Sequence, residues 1–314
     1  MELISSSINV VFPLFVMMAA GWLIRKTGLV TTEGLAEMNR LNVRVFLPAM
    51  LFINVCDGDL INGADRKFML FAAAGGVVLF LICILVVPAI VKDKRRSQAI
   101  ILGMYRPNTA IYGLPLAQSI LGSSDKVSNV LMMISVAILV TNFFAVLTVE
   151  IYKGAKPKIL TSVARCFMNP IIIGLLLGMI AQFLPFRMPD MILSPIKSIG
   201  AITTPLAFIA LGADFSLKTG KKNIAAVSAA TLFKLIVTPL LTIPAGILLF
   251  GFRDETLVAM ICAFSTPTAV SVLPLIKEAG ADGELMGEII VSTTAFSLVS
   301  IFLFTFVFRY LSLL

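Results

Sequence analysis

Thr109-Ala-Ile-Tyr-Gly-Leu-Pro-Leu116 and Thr268-Ala-Val-Ser-Val-Leu-Pro-Leu275 are two copies of one segment, identical at five of eight positions. The offset between them, 159 residues, is close to half of the 314-residue chain. Two weaker echoes keep nearly the same register. Pro48 followed by Phe52-Ile53 answers Pro205 followed by Phe208-Ile209, and Val140-Thr141-Asn142 answers Val291-Ser292-Thr293.

Both copies lie in apolar surroundings. The chain is 59% hydrophobic and 13% charged, where a soluble domain of ordinary composition has roughly 45–50% and 25%. A bilayer accommodates that surface, since a spanning helix needs about 20 mostly apolar residues. Ten such segments are read at about 5–24, 35–56, 67–91, 98–121, 127–151, 169–186, 191–212, 223–250, 256–279 and 284–311. They are continuous apolar runs, so helices are expected and not the alternating pattern of a membrane barrel. Five helices per half is an odd number, so the second copy enters the membrane inverted relative to the first. The expected fold is an all-α membrane protein of ten transmembrane helices in two inverted five-helix repeats, residues 1–156 and 157–314. That is the plan of secondary transporters.

Basic residues orient it, because cytoplasmic loops collect Lys and Arg. Arg25, Lys26, Lys92, Lys94, Arg95, Arg96, Lys153, Lys156, Lys158, Arg165, Lys218, Lys221, Lys222 and Lys277 follow the odd-numbered helices. Only Arg66, Lys67, Lys126, Arg187, Arg253 and Arg309 fall on the other side. Both termini are therefore expected outside the cytoplasm. The net charge of +8 marks topology and gives no nucleic-acid patch. The N-terminal stretch has its positive residues after the apolar run, the reverse of a cleavable signal peptide.

Prolines break the repeat helices. Pro107 and Pro115 lie in helix four, Pro267 and Pro274 in helix nine, and an interior proline removes a backbone hydrogen bond and crowds the preceding turn. Pro107 and Pro267 each fall about ten residues into their helix, near the middle of a core roughly 30 Å thick. Backbone left unpaired at that depth is tolerated only against protein or a water-filled cavity. Asn108, Thr109, Ser265, Thr266 and Thr268 have the polar side chains that cap a new helix start, and such a start turns N–H groups and a positive dipole end toward the site. Glu37, Glu150, Asp214 and Glu288 lie near helix ends, and Lys197 sits where it can snorkel. Arg106 and Lys234 lie deeper, and no carboxylate is placed at the midplane. A deep charge is costly and faces a cavity, so the centre is expected to favour an anion, with Tyr112, Asn142, Ser271 and Thr293 as polar lining.

Histidine is absent, which excludes Ser-His-Asp and Cys-His chemistry. Cys56, Cys83, Cys166 and Cys262 are scattered singly, so no metal, disulfide or cofactor is expected. A membrane enzyme using Asp57-Gly-Asp59 as a metal pair is the alternative from another class. A ligand sensor would need an output domain, for which the ten spans leave no room.

The segment Arg106-Pro-Asn-Thr-Ala-Ile-Tyr-Gly-Leu-Pro-Leu-Ala, with Gly122, resembles the helix-four signature of the auxin efflux carrier family, whose bacterial members include malate and other organic-anion permeases. Phe264-Ser-Thr-Pro-Thr-Ala and Ser292-Thr-Thr294 are similar to its second half. The resemblance implies a scaffold of helices one, two, six and seven that forms a homodimer. It also implies a transport domain of helices three to five and eight to ten, whose broken helices four and nine cross at Pro107-Asn108 and Pro267-Thr268. Asn108 is then the contact to the substrate. The implied function is a secondary carrier of a small organic anion in the inner membrane, with a sodium- or proton-coupled symporter of the related bile-acid type as the alternative. The loop from Tyr152 to Met168 is short where plant members have a long one, so neither their phosphorylation control nor auxin itself is implied.

Overall fold

The computed structural model describes residues 2–56, 65–122, 124–152, 164, 167–184, 188–213, 220 and 222–314. Asp57, Asp59, Lys153, Lys156, Lys158, Arg165, Cys166, Arg187, Asp214, Lys218 and Lys221 lie outside the described residues. Every element among those described is helical. In chain order they are α1 (Glu2–Lys26), α2 (Thr32–Leu41), α3 (Leu47–Cys56), α4 (Arg66–Ile90), α5 (Lys94–Tyr105), α6 (Leu114–Leu121), α7 (Ser124–Tyr152) and α8 (Pro170–Gln182). There follow α9 (Asp190–Ala201), α10 (Thr203–Ala213), α11 (Ile224–Leu232), α12 (Thr238–Phe250), α13 (Asp254–Met260), α14 (Val272–Glu278) and α15 (Gly283–Tyr310). Five stretches among the described residues are long and apolar enough to cross a membrane: Arg66–Ile90, Lys126–Tyr152, Asp190–Ala213, Ile224–Phe250 and Gly283–Tyr310.

Side-chain caps set several helix starts. The Asp65 carboxylate accepts from the amides of Lys67 at 2.7 Å and Phe68 at 3.2 Å. Asp93 does the same for Arg95 and Arg96, at 2.9 and 3.3 Å. This is why α5 begins at Lys94, four residues before the apolar run read from the sequence: an N-cap carboxylate satisfies otherwise orphaned N–H groups and favours the positive dipole end.

Four single π-helical turns interrupt the α-helical ladder, at Asn42–Phe46, Thr109–Gly113, Phe233–Val237 and Ile261–Ser265. Each ends two residues before a proline, respectively Pro48, Pro115, Pro239 and Pro267. A proline ring collides with the carbonyl four residues back and offers no N–H; widening the preceding turn to an i→i+5 pattern relieves both problems. Pro115 accordingly does not break its helix, and it stands in the first turn of α6. Pro274 is likewise inside the first turn of α14, where a missing N–H costs nothing. The true interruptions are at Arg106–Asn108 and Thr266–Ser271.

The chain divides into two compact units. The first comprises Met1–Ala64, Ala110–Met132 and Met168–Phe215. Its main packings are α1 against α10 and α3 against α8, and glycines set both. A methyl group at Gly21 would overlap the Ile209 carbonyl, and one at Gly212 would overlap the Met18 carbonyl, so each helix presses a glycine against the other's backbone. Gly174 and Gly178 of α8 meet the backbone of Pro48 and Phe52 in α3. The GxxxG pair therefore packs within the chain, in the small-residue mode typical of membrane helices.

The second unit comprises Asp65–Thr109, Met133–Phe167 and Ser216–Leu314. At one end of it, the Asp282 carboxylate lies 3.5 Å from the Arg96 guanidinium and Lys222 pairs with Glu284 at 3.3 Å. At the other, the Phe68 ring packs tilted against that of Phe252 at 5.7 Å and the Asp254 amide donates to the Leu313 carbonyl at 3.2 Å. Basic segments 92–96 and 222, far apart in sequence, are thus gathered at one pole.

Replacing Gly212 by leucine should cost about 1–3 kcal/mol of stability, because it overpacks a backbone-to-backbone contact. Gly287, whose Cβ position is open space, should accept alanine with a gain of roughly 0.5–1 kcal/mol. Unfolding midpoints of the two purified variants check the contrast.

Candidate functional site

The two interruptions satisfy each other. The Asn108 amide donates to the Pro267 carbonyl at 2.8 Å, and the Ala269 amide donates to the Arg106 carbonyl at 3.1 Å, an isolated antiparallel bridge between Pro107 and Thr268. Two helices that each lose ladder bonds to a proline recover them from one another, which solves at membrane depth the problem of unpaired backbone. The Thr268 hydroxyl donates to the Gly103 carbonyl at 2.6 Å, and the Thr268 amide donates to the Thr293 hydroxyl at 3.2 Å. Thr293 in turn donates to the Ile289 carbonyl at 2.8 Å. The Thr266 hydroxyl donates back to the Cys262 carbonyl at 3.1 Å.

These bonds engage several of the residues singled out in the sequence. Thr266 and Thr268, read as caps of a new helix start, and Thr293, read as polar lining, brace the interruption with their hydroxyls. Asn142 is engaged as well: its Oδ1 accepts from the Arg106 guanidinium at 2.7 Å while its Nδ2 donates to the Ile138 carbonyl at 2.8 Å. A second guanidinium nitrogen reaches the Thr141 hydroxyl at 3.4 Å, and the Tyr105 hydroxyl donates to the Thr141 carbonyl at 2.6 Å. Thr141 and Gly103 are the contributors missed from sequence. Thr141 was within reach as a member of the Val140-Thr141-Asn142 echo, whereas a glycine carbonyl carries no side-chain signal.

Other polar groups remain uncommitted. The Asn108 Nδ2 and the hydroxyls of Thr109, Ser265 and Thr294 are buried without a hydrogen-bond partner among the described residues. Ser271 is half-buried in the connection to α14. Tyr112 belongs to the first unit, where it is fully buried with its ring 5.3 Å from that of Phe208.

Charge completes the picture. Arg106 is 6% exposed and Lys234 1%. Lys234 stands in the π turn Phe233–Val237, which packs against α5, α15 and the π turn Ile261–Ser265. It is within electrostatic reach of Arg106 and the Cys83 thiol, and no hydrogen bond or ion pair reaches its ammonium among the described residues. The segments 68–91, 97–122, 127–149, 223–253, 256–277 and 289–308 contain no Asp or Glu. Among the described residues no cluster of three metal-ligating side chains occurs. The second unit therefore has a buried, cationic interruption furnished with unpaired donors.

The described residues thus combine helices, apolar stretches long enough to cross a membrane and a buried interruption. A family model described as membrane transport protein matches residues 6–305. The chain belongs to that family, the grouping of the auxin efflux carriers that its helix-four segment resembles. An uncharacterized transporter of Methanothermobacter thermautotrophicus is 23% identical over 299 residues, covering 94% of this chain and 96% of its own length. A second uncharacterized transporter, from Methanocaldococcus jannaschii, is 24% identical over 307 residues, covering 93% and 96%.

Thr268→Val should destabilise the protein by roughly 1–3 kcal/mol, because it leaves the buried Gly103 carbonyl without its donor. Thr294→Val, which removes a hydroxyl that has no hydrogen-bond partner among the described residues, should stay within about 0.5 kcal/mol of the parent. Comparative thermal unfolding in the same detergent measures both.

Proposed function

We propose that this protein is a secondary carrier for a small organic anion, a carboxylate such as malate, bound at the interruption between helices four and nine. The observation that carries the reading is the charge of the site: Arg106 and Lys234 are buried in a region whose segments contain no Asp or Glu. An ammonium or guanidinium at such depth is costly unless a counter-charge or water meets it. An anionic substrate supplies that counter-charge. Asn108 Nδ2 and the hydroxyls of Thr109 and Ser265 are the donors that bind it, and Asn142, Thr141 and Thr293 hold the machinery in place. Ser271 completes the polar lining on this reading.

The wider architecture proposed is ten helices in two inverted repeats, 1–156 and 157–314, with both termini outside the cytoplasm of a cell whose inner membrane holds the protein. Helices one, two, six and seven form the scaffold and the homodimer contact; helices three to five and eight to ten carry the substrate. The division into units supports this partition, since α1–α3 and α8–α10 fall in one unit and α4, α5 and α11–α15 in the other. Residues 110–132, the second part of helix four and the start of helix five, go with the first unit. Transport is then alternating access, the transport domain moving relative to the scaffold.

Arg106→Ala and Asn108→Ala proteoliposomes should each take up malate at least about tenfold more slowly than the parent, as expected when a charged or hydrogen-bonding contact to a buried ligand is removed. Variants that transport as well as the parent would sink the site assignment. Better binding of neutral or cationic solutes than of carboxylates in a thermal-shift screen would sink the anion.

A further inference from the structure

We propose that Lys234 carries a proton with the anion, so that binding one substrate anion takes up one proton and delivering it releases both. This deepens the anion-carrier reading and rests on it.

The geometry points to this residue in three ways. Lys234 is 1% exposed and no hydrogen bond or ion pair reaches its ammonium among the described residues. Arg106 differs, since its guanidinium is held by Asn142 and Thr141. An arginine keeps its charge in any protein environment, whereas a buried lysine responds by gaining or losing its proton. The chain also offers no competing proton carrier at this depth, having no histidine and no Asp or Glu in the surrounding segments.

The charged and titratable neighbours are few. Between Ile224 and Phe250 Lys234 is the single titratable residue. From α5 and its end come Tyr105, engaged with the Thr141 carbonyl, and Arg106; Lys94, Arg95 and Arg96 are a full helix length away at the other end of α5. From α4 comes Cys83, and from the π turn Ile261–Ser265 comes Cys262. In α15, Glu284 and Glu288 sit in the first two turns and Arg309 and Tyr310 at the end, with only apolar, Ser and Thr residues between. None of the neighbours at the level of Lys234 is a carboxylate. With the site empty, a second cation beside Arg106 has no counter-charge, and the bare amine is the form that the apolar surroundings tolerate. A bound carboxylate reverses the balance: the amine takes a proton from the open side, the ammonium–carboxylate pair forms, and both charges leave together when the site opens to the opposite side. The net movement is one proton and one anion in the same direction, and the fixed Arg106 charge is left as it was.

The experiment uses the full-length purified protein, with L-malate as probe, in weakly buffered, mildly alkaline solution where free malate is fully ionised. Parent protein should take up about one proton for each malate bound, read by a pH indicator alongside calorimetry. Lys234→Arg, whose charge is permanent, should still bind malate but take up no proton. Lys234→Met should bind at least about tenfold more weakly and also take up none. In proteoliposomes, an acid exterior should accelerate malate uptake by the parent and leave Lys234→Arg unaffected. Malate binding by the parent without proton uptake, or equal uptake by Lys234→Arg, overturns the coupling and leaves the anion site intact. Absence of malate binding in every form overturns the malate reading instead. A substrate-independent arm decides the residue itself: in protein labelled with 13C at lysine Cε, the resonance that disappears in Lys234→Arg should report a neutral amine without anion. A fully charged ammonium there overturns the proposal whatever the substrate.

Discussion

Two amide-to-carbonyl bonds, Asn108 to Pro267 and Ala269 to Arg106, hold together what the prolines take apart. A helix interrupted in an apolar medium exposes donors and acceptors that no solvent can satisfy. Here each interruption is the partner of the other, and this constrains the rest. Thr268 must donate to Gly103, Thr293 must accept from the Thr268 amide, and α5 and α15 must lie close enough for both. A glycine at position 103 is part of that closeness, since a methyl there would come 2.8 Å from the Ile289 side chain.

The pairing also decides which polar side chains are available. Hydroxyls that brace the backbone are spent, and those without partners, on Thr109, Ser265 and Thr294, remain with the Asn108 amide nitrogen to meet a ligand. Arg106 stands at the interruption and Lys234 is buried in a turn packed near it, with no acid in the segments that line them. Membrane-depth cations normally recover part of their hydration loss from carboxylates, and a site that withholds them stores an attraction for whatever anion enters.

Much of this was legible in the sequence because apolar run length and proline placement are strong local signals. The helix boundaries lie within a few residues of the apolar runs, and the shift at α5 has a cause in the Asp93 cap. Arg106 and Lys234 stood out by depth alone. Side-chain roles were less legible. Thr268 and Asn142 have the chemistry of capping or lining residues, and only their distances to Gly103 and Arg106 show that they brace. Pro115 and Pro267 each follow a π turn, yet the first continues into a helix and the second ends one, a difference set by the chain that follows rather than by the proline. A GxxxG pair such as Gly174 and Gly178 suits contacts within a chain or between chains, and only the backbone of α3 against it shows which.

The π turns have a consequence for how this chain can change. Each is equivalent to a single residue inserted into an α-helix, and one residue corresponds to about 100° of rotation around the axis. Beyond Phe233–Val237, every side chain of α12 therefore faces a direction that a plain helix would give to its neighbour. Removing one residue there and replacing Pro239 by leucine would leave a regular helix of similar length and apolarity. It would also turn one half of that helix by more than a quarter-turn relative to the other, so Lys234 and the far end could no longer both keep their neighbours. In the packing of this helix the proline and the extra residue act as a pair.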